Sequence, residues 1–346
     1  MLEKAKTFVK YKTVKIDGED GPTVALYPRK FPKPVITKKK VILFIIAVVL
    51  ITIIAQSIFA VYITESIFSK NGSQKFIETV YGEEFAKSLS KKDAFLESKG
   101  EMLSLESQNK AFSALNIKNE NISESYVILC HMYGATPYSM GEYAKHFYDL
   151  GFNLLIPELT TAKGNDEKSL FLSSADTENV LFWIDYITKN NERAKIILFG
   201  VSTGGATVCE VAGEKLPENV KCIIADSCYK SLWDLYEPYL ELAYEKSPFP
   251  VRNIASLYCS IKYDVDLKET GPYSVARQIE KPILFMHGEN DLIVPINDNN
   301  DLYMECEFKG REQEVINEAE HARLVSKDAE KYWNYIDGFI LDYIGN

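Results

Sequence analysis

Residues 194–208 read AKIILFGVSTGGATV, and the pentapeptide Gly200-Val201-Ser202-Thr203-Gly204 inside them decides how the rest of the chain is read. Four apolar residues, 196–199, run straight into the first glycine and predict a short buried strand. Behind the serine, residues 204–215 have helical spacing. A serine between the two sits on a tight strand-to-helix turn, with its oxygen projecting at the head of the helix. Small residues two before and two after it let strand and helix approach without clash. The same turn aims the backbone N–H of Thr203 at an oxyanion forming on a substrate carbonyl, with the positive end of the helix dipole behind it. So short a pattern recurs by chance; its seat between strand and helix makes Ser202 a candidate nucleophile.

Outward from this turn the chain alternates strand and helix, the mark of a mostly parallel sheet flanked by helices on both faces. Apolar runs at residues 126–130, 153–159, 221–227 and 282–288 predict strands, and the shorter apolar stretch within 314–320 predicts the last. Residues 140–150, 176–190 and 327–344 predict helices. Residues 228–280 break the rhythm with aromatics such as Trp233, Tyr236, Tyr239 and Tyr244. They read as helices inserted between two strands, a cap over the serine. The domain is thereby bounded at 125–346, preceded by a linker and irregular lead-in at 64–124 with a short helix near 74–90.

Ser202 needs a base, and the chain has four histidines. Where this turn carries a nucleophile, the acid and then the histidine follow it along the chain. His131 and His146 precede the serine, and His287 precedes every suitable acid in the loop after it. His321 remains, between the last strand and the closing helix. PILFMHGENDLIVP offers Glu289 and Asp291 as the orienting acid; Asp291 is preferred because Leu292, Ile293 and Val294 pack the loop behind it. Glu289 and Asp226, at the end of a neighbouring strand, are the rivals. A second oxyanion donor belongs to the loop after the first core strand, the backbone N–H of Tyr133 or of Met132, with His131 bracing that loop. The chain has no HxxxH, HxH or CxxC pair and no phosphate loop, so neither a metal nor a cofactor is expected.

Ahead of the domain the composition changes. Residues 1–40 carry a net charge of +7, against −10 for the whole chain, so the acidic remainder would repel nucleic acid. Between the two lies VILFIIAVVLITIIAQSIFAVYI, from Val41 to Ile63, 23 residues without a charge. At 1.5 Å per residue it would span about 34 Å, enough for a bilayer's hydrocarbon core of about 30 Å. It is apolar all round, unlike a core helix, and longer than the apolar part of a signal peptide. A single transmembrane helix is expected, with the lipid bilayer as partner. No second stretch is long enough for a transporter. Lys38, Lys39 and Lys40 abut its first end, and Glu65 follows the other. This charge bias puts a basic cytoplasmic tail (1–40) on the inner side of the cell membrane and residues 64–346 outside it. Cys130, Cys209 and Cys222 read as buried core thiols; a disulfide among Cys228, Cys259 and Cys306 is the alternative for those three.

CHMYGATPYSM, FGVSTGGATV, HGENDLIVP, EHARL and KYWNYIDGFI, in that order, resemble the bacterial α/β-hydrolases of the serine-aminopeptidase-like or dienelactone-hydrolase-like group. The resemblance covers residues 75–346. It implies an α/β-hydrolase fold with a helical cap. It also implies a triad of Ser202, Asp291 and His321, and an oxyanion hole from the main chain of Tyr133 and Thr203. The implied activity is hydrolysis of an ester, thioester or amide in a small-molecule or peptide substrate. Three departures stand out: Met132 where the group has glycine, Glu320 where it often has glycine, and residues 160–166 (TTAKGND) in place of an Arg-Gly-His-Gly-like run. A side chain at 132 crowds the oxyanion loop, and a carboxylate at 320 favours a protonated histidine. These two substitutions motivate the alternative reading, a catalytically weak binding or sensor protein on the same fold.

Overall fold

The computed structural model describes residues 11–18, 21–28, 37–68, 77–79, 81–159, 174–245 and 247–344. The chain forms two units, Met1–Ile54 and Ala55–Asn346. The first holds an antiparallel hairpin, β1 (Tyr11–Gly18) and β2 (Gly21–Pro28), and the opening turns of α1 (Lys38–Phe68). Through Ile54 the apolar side chains of α1 face outward, and its stretch Lys38–Ser66 is long and apolar enough to cross a membrane.

The second unit begins with the last turns of α1. After them come α2 (Glu83–Ser90), α3 (Ala94–Lys99), β3 (Glu101–Ser107), β4 (Lys110–Ile117), β5 (Ser125–Cys130) and α4 (Gly141–Asp149). The chain continues through β6 (Asn153–Pro157), α5 (Ser174–Asn190), β7 (Lys195–Val201), α6 (Thr203–Ala212) and β8 (Val220–Asp226). Then follow α7 (Leu232–Tyr244), α8 (Val251–Tyr263), β9 (Ile283–Gly288), α9 (Ile296–Glu305), β10 (Arg311–Ile316), α10 (Leu324–Lys327) and α11 (Ala329–Ile344).

Eight strands form one sheet in the order β10-β9-β8-β7-β5-β6-β4-β3. From β6 to β10 neighbours run parallel, while β4 is antiparallel to β6 and β3 to β4. This is the mostly parallel sheet expected, in the α/β-hydrolase arrangement. Alternate side chains of the central strands enter two cores. On β7, Ile196 and Leu198 pack with α5 and α6, whereas Ile197 and Phe199 pack with α4 and α11. Both faces are covered, so the strands read as continuous apolar runs.

Three sequence expectations need correction. Residues 101–117 are not irregular lead-in: they form the β3–β4 hairpin, which extends the sheet by two strands. Its tight turn places Gln108 and Asn109 at φ 50° and 62°, a conformation usually announced by glycine. The last strand lies three residues or more before the expected 314–320, because residues 317–320 form the turn that carries His321. Ala60, Ile63 and Thr64, near the end of the apolar run, are fully buried against the cap. The cap itself is two helices, α7 and α8, inserted between β8 and β9. All six cysteines are buried thiols. Residues 160–166 lie outside the described residues.

Candidate active site

Ser202 follows β7 and heads α6, at φ 55° and ψ −114°. That conformation is strained for a residue with a side chain and is held from both sides. The Ser202 N–H donates to the carbonyl of Asp226 at 2.8 Å, and Ser202's own carbonyl accepts from Ala206 at 2.9 Å. The flanking glycines are required by contact. A Cβ on Gly200 would sit 2.1 Å from the Gly204 carbonyl oxygen, and one on Gly204 would sit 2.1 Å from that of Cys130. Both are far inside van der Waals contact, so the backbone could not close the turn.

Three elements deliver their side chains to this point. His321 Nε2 lies 2.8 Å from Ser202 Oγ, and His321 Nδ1 lies 2.6 Å from Asp291 Oδ2. With Nδ1–H donating to the carboxylate, Nε2 is left as an acceptor for the serine hydroxyl. Asp291 Oδ1 accepts from the N–H groups of Ile293 and Val294 at 2.9 and 2.8 Å. Burial pushes the Asp291 carboxyl up, but the neighbouring His321 and the hydrogen bonds outweigh it, and its pKa falls below the ordinary 3.8. The carboxylate therefore stays ionised beside the imidazole.

The rival acids are engaged elsewhere. Asp226 accepts from Ser227 Oγ at 2.7 Å and from the Tyr332 hydroxyl at 2.8 Å, and burial raises its pKa to about 6. Glu289 accepts from the N–H of Glu318 at 3.0 Å. The other histidines also have distinct surroundings. His146 stacks on Trp333 at 3.7 Å and meets Asp337. Buried His287 contacts the Val294 carbonyl at 2.8 Å and stands 3.4 Å from Asp291. His131 is buried, its Nδ1–H donating to the Met132 carbonyl and its Nε2 accepting from Leu159 N–H. Desolvation lowers its pKa to about 4, so it remains a neutral tie between the loop after β5 and the end of β6.

Met132, Tyr133, Ser202 and Thr203 line a narrow apolar slot, whose far wall is Leu232, Leu235, Tyr236 and Tyr239 of the cap. Thr203 is the first residue of α6, so its N–H has no acceptor within the helix, and the residue lines the same space. The Met132 side chain forms part of the slot wall, and the triad keeps its spacing beside it. Glu320 turns outward, paired with Arg323 at 3.2 Å.

One participant escaped the sequence reading. Tyr81, from the stretch just before α2, lines the slot beside Ser202 and places its ring 5.7 Å from that of His321. Burial, with the nearby charge of Asp291, pushes its pKa well above the ordinary value, so it stays a neutral phenol. It stands between the apolar slot and a wider outer cleft lined by Asn290, Leu292, Glu320 and His321. No motif marks it; 121 positions separate it from that serine. Among the described residues, no group of three His, Cys, Asp or Glu side chains is placed to hold a metal ion.

The chain is similar to known proteins in sequence and in fold. It is 25% identical over 217 residues to the uncharacterized protein YqkD of Bacillus subtilis, covering 62% of this chain and 70% of that one. The Pyrococcus furiosus esterase Pf2001 superposes with a TM-score of 0.57 at 16% identity, covering 72% of this chain and 95% of the esterase. A puromycin-hydrolyzing peptidase of Mycobacterium tuberculosis gives a TM-score of 0.58 at 15% identity, over 73% of this chain and 40% of the peptidase. Both likenesses show the fold. Residues 172–346, which carry Ser202, Asp291, His321 and the cap, match the model of the prolyl oligopeptidase family. The chain belongs to the prolyl oligopeptidase family and is a serine hydrolase.

Proposed function

We propose that this protein is a membrane-anchored hydrolase that cleaves an ester, thioester or amide through an acyl-enzyme on Ser202. Ser202 Oγ attacks the substrate carbonyl while His321 Nε2 takes its proton, and the N–H groups of Tyr133 and Thr203 hold the oxyanion. As the tetrahedral adduct collapses, the bond to the leaving group breaks and Nε2 returns the proton to it. Water then attacks the acyl-enzyme, His321 takes a proton from it, and Ser202 leaves reprotonated with the acid as product. Ionised Asp291 keeps the Nδ1–H tautomer and offsets the imidazolium charge at each stage.

The observation that carries this reading is the unbroken hydrogen-bonded line from Asp291 through His321 to a serine held at positive φ beside an apolar slot. That slot favours an apolar acyl group on a small-molecule or peptide substrate. A fluorophosphonate probe should label the full-length chain, and Ser202→Ala should abolish the label. A folded wild type that does not react would point instead to the binding or sensor reading.

The run from Val41 to Ile63 supports a single-pass anchor, and three lysines at one end against Glu65 at the other support a cytoplasmic tail with the hydrolase outside. Protease added to intact cells should therefore remove the C-terminal domain; protection of that domain would reverse the orientation.

A further inference from the structure

The last turns of α1 do not leave the hydrolase unit free. Phe59 meets the Tyr244 ring edge-on at 5.4 Å, and Thr64 accepts from the Tyr236 hydroxyl at 3.1 Å, both on α7. Glu65 accepts from the hydroxyls of Tyr258 and Tyr263 at 2.6 Å and pairs with Lys262 at 2.8 Å, all on α8. Glu65 lies two residues past the end of the uncharged run. A hydrocarbon core of about 30 Å takes about 20 residues from Val41, so Glu65 stands about 7 Å beyond its edge, within the headgroup layer. The α8 residues that hold it must therefore lie at the same depth.

The outward face of α8 carries two large apolar residues beside Asn253 and Ser260. Val251, Ala255 and Cys259 face the core, and Tyr258 and Lys262 turn to α1. At about 100° per residue, Leu257 and Ile261 fall roughly opposite Cys259. They are 63% and 77% exposed, and Phe249, just ahead of the helix, is 74% exposed. Single exposed apolar residues are ordinary, but an i, i+4 pair on one helix row beside a third is a patch. Tyrosines and a lysine on its flank are the side chains that settle at a membrane interface.

We propose that α8 is an interfacial helix, its Leu257–Ile261 stripe and Phe249 sunk into the headgroup boundary of the bilayer that α1 crosses. The inference rests on the anchor reading above. It makes the cap a second membrane contact. Because α7 forms the far wall of the slot and is bonded to α1, that wall then stands at the membrane surface.

The test uses the full chain in lipid nanodiscs with acyl chains brominated near the headgroups, which quench nearby tryptophan. Leu257→Trp should lose clearly more emission than wild type, whose three native tryptophans set the background. Leu341→Trp, exposed on α11 over the other face of the sheet, should lose no more than wild type. Equal quenching of the two variants, or none in Leu257→Trp, overturns the proposal. Alkaline carbonate extraction of wild-type membranes separates the two readings. A chain that stays in the membrane but shows an unquenched Leu257→Trp refutes the α8 contact alone, whereas a chain that is washed out refutes the anchor.

Discussion

Replacing Asp291 with asparagine removes one charge and almost no volume, yet the hydrogen bonds around it amplify the change. Oδ1 faces two donors, the N–H groups of Ile293 and Val294, and Oδ2 faces His321 Nδ1. In Asp291→Asn the amide oxygen must stay with the two backbone donors. The opposite flip would aim an NH2 at both of them, at a cost of about 1–3 kcal/mol for each donor left unpaired. The NH2 therefore faces His321, whose Nδ1 can then only accept. The ring proton moves to Nε2, which now donates toward Ser202 Oγ instead of taking its proton. In a triad of the same geometry this tautomer switch costs about 10⁴ in kcat, or about 5.5 kcal/mol of transition-state stabilisation. The assay is turnover of a short-chain chromogenic ester together with the rate of fluorophosphonate labelling, with thermal melting to confirm the fold. Retention of more than about a tenth of wild-type kcat would refute the role given to Asp291. So would a larger loss in Asp226→Asn or Glu289→Gln.

Asp226 supplies a prediction about stability. Burial holds its carboxyl at about 6 in the folded protein, against an ordinary 3.8, despite the bonds from Ser227 and Tyr332. The folded state thus binds this proton more tightly than the unfolded chain does. The resulting stabilisation is complete below about pH 4 and is lost as pH rises through about 6. Relative to Asp226→Asn, wild type should lose on the order of 3 kcal/mol across that window, read by chemical denaturation at each pH. A constant difference between the two proteins would contradict it. Tyr81→Phe removes the hydroxyl from the slot beside Ser202 but keeps the ring between slot and outer cleft. Fluorophosphonate labelling should persist, with kcat/KM for a soluble ester lowered by about tenfold or less, the worth of one hydrogen bond. Complete loss of labelling would make Tyr81 part of the chemistry.

What could be read from the sequence was whatever is enforced locally. The turn at Ser202 needs glycine at 200 and 204 because backbone oxygens stand where their side chains would go. The central strands are covered on both faces, so they announce themselves as apolar runs. Chain order among four histidines singled out His321. The choice of acid was harder to read, because Glu289, Asp291 and Asp226 all follow strands; only the direction of each carboxylate separates them. The β3–β4 hairpin was missed because its outer strand is largely exposed and its turn carries Gln108-Asn109 without a glycine. Tyr81 was missed because only the tertiary fold brings Ile77 and Tyr81 to the slot beside the serine. Lipid and protein select the same side chains, so a charge-free run does not reveal which of its residues touch which.

That ambiguity has a practical edge. The hydropathy boundary at residue 63 is the natural place to cut this chain when a soluble hydrolase is wanted. A cut there discards Ala60 and Ile63, both at 0% exposure, and with them the plug that fills the cap from below. Uncovering a socket built for one isoleucine forfeits about 1.5–3 kcal/mol and opens a sticky hole beside Tyr236. The seam along which the molecule divides lies earlier, between Ile54 and Ala55. A fragment beginning near that seam would carry its own stopper, at the cost of a short greasy stub that detergent can hide.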